Sequence, residues 1–231
     1  MDRADETRYV LLHGGGFDGR CWDLLVPHLP DGTLAADLPG RGPNPCDVLE
    51  VDFEACAVAV AEAVGDDASI ILVGHSLAGA VIPEVLRRLD GRVARVVLVA
   101  ATVPPAGRSV VDTLDPAIQE LARAGGLNEP FVLPPELVPV VLGGDLDAEQ
   151  VAWCIERLVS ESPRLNLDPV NPESYAVTSV LWVRTLRDTI VPAEKQTAFA
   201  EAIPGCRVVD LDAGHMCMVT HPVRLAELIQ A

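Results

Sequence analysis

The 231-residue chain, 49% apolar and 22% charged, is long enough to bury one sizeable core and reads as one globular domain with an inserted subregion. A formal net charge of −17 argues against nucleic acid and anionic membrane surfaces as partners, since both are held by clustered Lys and Arg. Residues 1–8 are polar with no apolar signal core, no apolar run approaches the roughly 18 residues of a spanning helix, and six cysteines stand singly without a C-x-x-C pair. These features predict a reduced, cytoplasmic protein whose thiols mostly pack in the core, Cys217 among them, with neither a zinc site nor a disulfide framework.

In chain order, Tyr9 to His13 is a short strand running into Gly14-Gly15-Gly16. Residues 17–20 lead into an amphipathic helix over Cys21–Leu29, and Thr33–Asp37 forms a second strand ending in the turn-rich loop Asp37-Leu38-Pro39-Gly40-Arg41-Gly42. Asp37 and Arg41 hold that loop, with Arg41 in reach of the inserted subregion. A helix follows over Asp52–Val64, with Asp52 as its N-cap. Next, Ser69-Ile70-Ile71-Leu72-Val73 is a buried strand that stops at Gly74, and a helix runs over Leu77–Leu89. Arg92–Ala100 is a further strand. From Val103-Pro104-Pro105 the rhythm gives way to proline-punctuated sequence with two helices, Pro116–Ala124 and Ala148–Ser160. Its apolar residues, Phe131, Leu137, Val141, Trp153 and Leu158 among them, are too frequent for disorder, so it reads as a small cap. The strand Ser179–Arg184, helix Ala193–Ala202, strand Arg207–Leu211 and helix Pro222–Ile229 complete the chain. Strands alternating with helices predict a mostly parallel, doubly wound α/β sheet with helices on both faces. The core comprises residues 1–102 and 177–231, and residues 103–176 form the inserted cap.

The turn Gly74-His75-Ser76-Leu77-Ala78-Gly79 carries the chemistry. It lifts the Ser76 hydroxyl off the end of a strand to the positive N-terminus of a helix, and its small residues let strand and helix approach closely. Acyl transfer by serine also needs a base, an acid to orient the base, and donors for an oxyanion. Asp188 follows the strand ending at Arg184, and His215 follows the last strand, in the loop Asp212-Ala213-Gly214-His215-Met216. Taken singly, Asp188 is a helix-start carboxylate and His215 a loop histidine; at successive strand ends, with Ser76, they read as a catalytic triad. Asp212 stands too near His215 in sequence to serve, and Asp210 lies within a strand. The oxyanion donors are expected to be backbone N–H groups, from Leu77 and from the first glycine loop, Gly15 first and Gly16 second. His13 braces that loop and His75 packs.

These motifs resemble the α/β-hydrolase superfamily over nearly the whole chain. Within it, the chain is similar to the small-cap group of plant methylesterases, hydroxynitrile lyases and their bacterial relatives. The residues that carry this are His13-Gly14-Gly15 followed by Trp22, the Gly74-to-Gly79 turn, Val103-Pro104-Pro105, Trp153, Arg187-Asp188 and Gly214-His215-Met216. The resemblance implies an α/β-hydrolase fold and hydrolysis of a carboxylic ester through an acyl-enzyme, with no metal or organic cofactor. The lyases of the group carry a lysine directly after the triad histidine, where this chain has Met216, so hydrolysis is favoured.

The expected activity is hydrolysis of a small, largely apolar ester, with Trp153 as one large aromatic of the substrate pocket. A lyase or cyclase on the same scaffold, or a ligand-binding sensor, stays open, as does a homodimer formed through the cap or the terminal helix.

Overall fold

The structure is a computed structural model that describes residues 7–42, 44–66 and 69–231; most of the polar N-terminal stretch lies outside them. Strand β1 (Arg8–Leu12) is followed by two 3₁₀ turns, Gly19–Trp22 and Val26–His28, and by β2 (Leu34–Ala36). Then come α1 (Phe53–Val64), β3 (Ile70–His75), α2 (Ala78–Leu89) and β4 (Val93–Val99). Between β4 and the next strand lie α3 (Pro116–Gly125), α4 (Val138–Val141), α5 (Ala148–Ile155) and α6 (Pro163–Leu167). The chain closes with β5 (Val180–Thr185), α7 (Ala193–Glu201), β6 (Arg207–Leu211), α8 (Cys217–Thr220) and α9 (Pro222–Gln230).

Among the described residues six strands form one parallel sheet in the order β2-β1-β3-β4-β5-β6, with Leu11 beside Val73, Val73 beside Val97 and Val97 beside Leu181. Successive side chains point to opposite faces, and the alternation sorts them into two cores. Val10, Leu12, Leu72, Val96, Leu98 and Trp182 pack with residues of α1, α2 and α7. Leu11, Val73, Val97, Val99, Leu181 and Val183 pack with α9 and with Trp22 and Leu25. The order reverses between β1 and β3, so the loops after these strands open a crevice at the carboxyl edge of the sheet, where doubly wound folds bind ligands.

Local chemistry accounts for the boundaries. The Asp52 carboxylate accepts the Ala55 N–H and starts α1. The helix expected over Cys21–Leu29 is two 3₁₀ turns, because Pro27 in mid-helix would remove a donor and clash with the preceding turn. The helix expected to reach Ser160 stops at Ile155: Arg157 N–H closes a tight turn on Cys154, and the chain then extends so that Val159 N–H reaches the Gly16 carbonyl. Proline sits inside α2 as well, at Pro83, and leaves the Gly79 carbonyl without its helical donor. The buried Tyr175 hydroxyl donates to that carbonyl at 2.8 Å, so the helix continues.

Candidate active site

Ser76 sits at the tip of the turn between β3 and α2 with a φ of 52°, a left-handed conformation that non-glycine residues seldom adopt. Backbone hydrogen bonds hold it there: its N–H donates to Val99, and its carbonyl accepts from Gly79 and Thr102. The turn closes only because its glycines are bare. A Cβ on Gly79 would stand 2.6 Å from the Thr102 carbonyl oxygen, and one on Gly74 would collide with the Ile82 side chain.

The Ser76 hydroxyl lies 3.0 Å from His215 Nε2, and His215 Nδ1 lies 2.8 Å from Asp188 Oδ2. A carboxylate only accepts, so Nδ1–H donates to Asp188 and Nε2 is left as an acceptor facing the Ser76 hydroxyl. Asp188 is itself fixed: Thr185 Oγ1–H donates to Oδ2 at 3.0 Å, and the Ile190 and Val191 N–H groups both donate to Oδ1 at 2.9 Å. Burial acts to raise the Asp188 carboxyl pKa, but His215 beside it and those backbone donors outweigh burial and hold it below the usual range. Gln196 locks Thr185 in turn, accepting its N–H and donating to its carbonyl and hydroxyl.

Around this line are residues to which the sequence assigned lesser parts. Leu38 N–H donates to His13 Nε2 at 3.3 Å, so His13 carries its proton on Nδ1 and donates to the Gly14 carbonyl at 2.9 Å, bracing the glycine loop. His75 does more than pack: its Nε2–H donates to the His215 carbonyl at 3.0 Å, and its ring lies 4.6 Å from that of His215. Asp145, from the segment between β4 and β5, accepts the Gly214 N–H at 2.7 Å and the Thr220 hydroxyl at 3.2 Å, clamping the loop that bears His215.

Among the described residues, the Leu77 and Gly15 N–H groups are given to no protein acceptor, whereas the Gly16 N–H donates to Glu161 Oε2 at 3.2 Å. Gly16 is therefore committed, and Gly15 is the donor left open in that loop. Glu161 is fully buried and ion-paired with the equally buried Arg41. Arg41 thus reaches from its own loop into the β4–β5 segment.

Ser76, His215, Gly15 and Leu77 line a cavity of about 570 Å³ whose remaining wall is mostly apolar, with Val110, Leu114, Phe131, Leu137 and Ile190 among its residues. A second, smaller cavity of about 360 Å³ adjoins it, sharing Leu114, Phe131 and Asn166. Trp153, expected in the pocket, is not among the lining residues. It is half-buried against the core that holds Trp22 and Leu25, with the Arg157 guanidinium 3.7 Å from its ring centroid. Cys217 is buried in that core, where burial pushes its thiol pKa up. Met216 is buried at the start of α8.

The family model described as alpha/beta hydrolase family matches residues 9–228. Lipase LipV of Mycobacterium tuberculosis is 28% identical, over 97% of this chain and 92% of its own. A pyrethroid hydrolase of Sphingobium wenxiniae is 27% identical, over 96% and 86%. Among solved structures, an extracellular alpha/beta-hydrolase of a Paenibacillus species superposes with a TM-score of 0.85 at 22% identity, covering 97% of this chain and 98% of that one, a likeness of fold.

Proposed function

The chain belongs to the alpha/beta hydrolase family, and from that membership we propose that it is a serine hydrolase cleaving a small, largely apolar carboxylic ester. Relatives named as a lipase, a pyrethroid hydrolase and methylesterases support ester cleavage as its chemistry. The observation that carries the reading is the hydrogen-bonded line Ser76–His215–Asp188 opening on an apolar cavity.

In this mechanism His215 Nε2 takes the Ser76 proton as Oγ attacks the ester carbonyl. The Leu77 and Gly15 N–H groups receive the oxyanion, each donor contributing about 3 kcal/mol to lowering the barrier. Asp188 holds the His215 tautomer and stabilises the imidazolium. His215 returns the proton to the leaving alcohol and then activates a water, which releases the acid and frees Ser76. Protein side chains, backbone and water carry every step. Residues 103–176 act as a cap over the core of residues 1–102 and 177–231, contributing Val110, Leu114, Phe131 and Leu137 to the wall. The enzyme works in the cytoplasm in this reading, which six unpaired thiols support.

The test is a time course with p-nitrophenyl acetate and butyrate, wild type beside Ser76→Ala. Turnover by wild type that falls by about 10⁴-fold or more in the variant is expected. A folded wild type that hydrolyses neither ester, or a variant that keeps the activity, would refute serine hydrolysis.

A further inference from the structure

Of the 17 basic residues in the chain only Lys195 is a lysine, and its side chain lines the cavity that holds Ser76. It stands on the first turn of α7, and Nζ donates to the Thr113 carbonyl at 2.6 Å. An ammonium has three protons to give, so two remain. Among the described residues no carboxylate lies within ion-pairing distance of it. The other formally charged group on the wall, Glu161, is neutralised by Arg41. Among the described residues the cavity therefore presents one uncompensated positive charge in a mostly apolar lining, within a protein of net charge −17.

Lys195 and Thr113 also border an outer cleft shared with Arg108 and Phe199. An anion at Nζ would pair on the cavity side while staying hydrated from the cleft, which limits the desolvation it must bear. Arg108 and Asp112 border only the outer cleft, where Asp112 Oδ1 is paired by Arg123 and lies 3.9 Å from the exposed Arg108, so among the described residues Lys195 is the cation on the wall of the Ser76 cavity itself. One ammonium matches a single negative charge, hence a carboxylate and not a phosphate dianion.

We propose that the ester taken by this site carries a carboxylate at the end remote from the reacting bond, and that Lys195 binds it and sets the specificity. This rests on the esterase reading of Ser76. The Lys195 contact is made alike in the ground state and the transition state, so it acts on KM.

The experiment compares monomethyl dicarboxylates of increasing chain length with methyl alkanoates of the same length, following methanol release. At the best chain length the anionic ester is expected to have kcat/KM higher by about tenfold or more, carried by KM. Lys195→Met brings that ratio to about one, Lys195→Arg restores most of it, and added salt shrinks it in the wild type. A ratio near one at every length in the wild type would overturn the proposal. So would a Lys195→Met variant that slows both series together and keeps the ratio, since that marks a strut to Thr113 and nothing more. Failure of the wild type on both series counts against the esterase reading itself.

Discussion

At His75 the imidazole donates Nε2–H to the His215 carbonyl, while burial, and after it the neighbouring His215, pushes its pKa down to about 3. His13 is likewise lowered to about 3 by burial and by Arg41. Both are neutral when folded and regain a pKa near 6.5 when the chain unfolds, so the unfolded state binds more protons between those values. The stability tied to their neutrality is present above pH 6.5 and drains away as the pH falls from there toward 3. Each histidine contributes a slope of up to about 1.4 kcal/mol per pH unit. Urea unfolding should give a free energy that is level above pH 7 and declines below 6.5. In His75→Gln, where an amide can still donate to the His215 carbonyl without titrating, the decline should be shallower. Equal stability at pH 7 and pH 5 in the wild type would contradict this account.

Between elements, the buried pair Arg41–Glu161 joins the loop after β2 to the segment between β4 and β5. Glu161 Oε2 accepts the Gly16 N–H and Oε1 the Ser162 N–H, while Phe131 and Glu161 form an antiparallel bridge. One carboxylate thus steadies the glycine loop from above and the chain beside it. Its charge lies near the site where an oxyanion would form, so it is tolerable there only because Arg41 cancels it. Arg41→Met should cost about 3–5 kcal/mol in urea unfolding, the penalty of an unpaired buried charge. It should also lower kcat on p-nitrophenyl butyrate more than it raises KM, because the disturbance falls on the glycine loop proposed to hold the oxyanion. Unchanged stability would mean that the pair is exposed to water in solution.

Across the whole molecule, 34 acidic residues oppose 17 basic ones. The exposed pairs, such as Arg88–Glu54 and Arg224–Glu227, are each worth little. Self-repulsion of the net charge then outweighs them, and screening relieves it. The thermal midpoint should rise as NaCl is added from low ionic strength, whereas kcat/KM on a neutral ester should stay level. A midpoint that falls with salt would make the exposed pairs the dominant electrostatic contribution.

Local patterns in the sequence determined the parallel α/β order, the Asp52 cap, the turn at Gly74–Gly79, and the placement of Ser76, Asp188 and His215 at the ends of three strands, β3, β5 and β6. Each is written within a few adjacent residues: β-branched runs, small residues at a tight turn, a carboxylate ahead of Pro192. What supports the site is written nowhere locally. Glu161 meets Gly16 and Arg41, Asp145 meets Gly214, and His75 meets the His215 carbonyl across long stretches of chain, with no periodicity to announce them. Trp153 illustrates the same limit. Its size and apolar surface suggested a wall of the pocket, but it lies half-buried against the core outside the cavity, with Arg157 over the ring. Secondary structure and turn geometry follow from short-range sterics and hydrogen bonding, which a sequence displays. Pairings between distant buried polar groups are selected only when the packed chain removes water and leaves each with one partner in reach, and so the tertiary structure alone decided them.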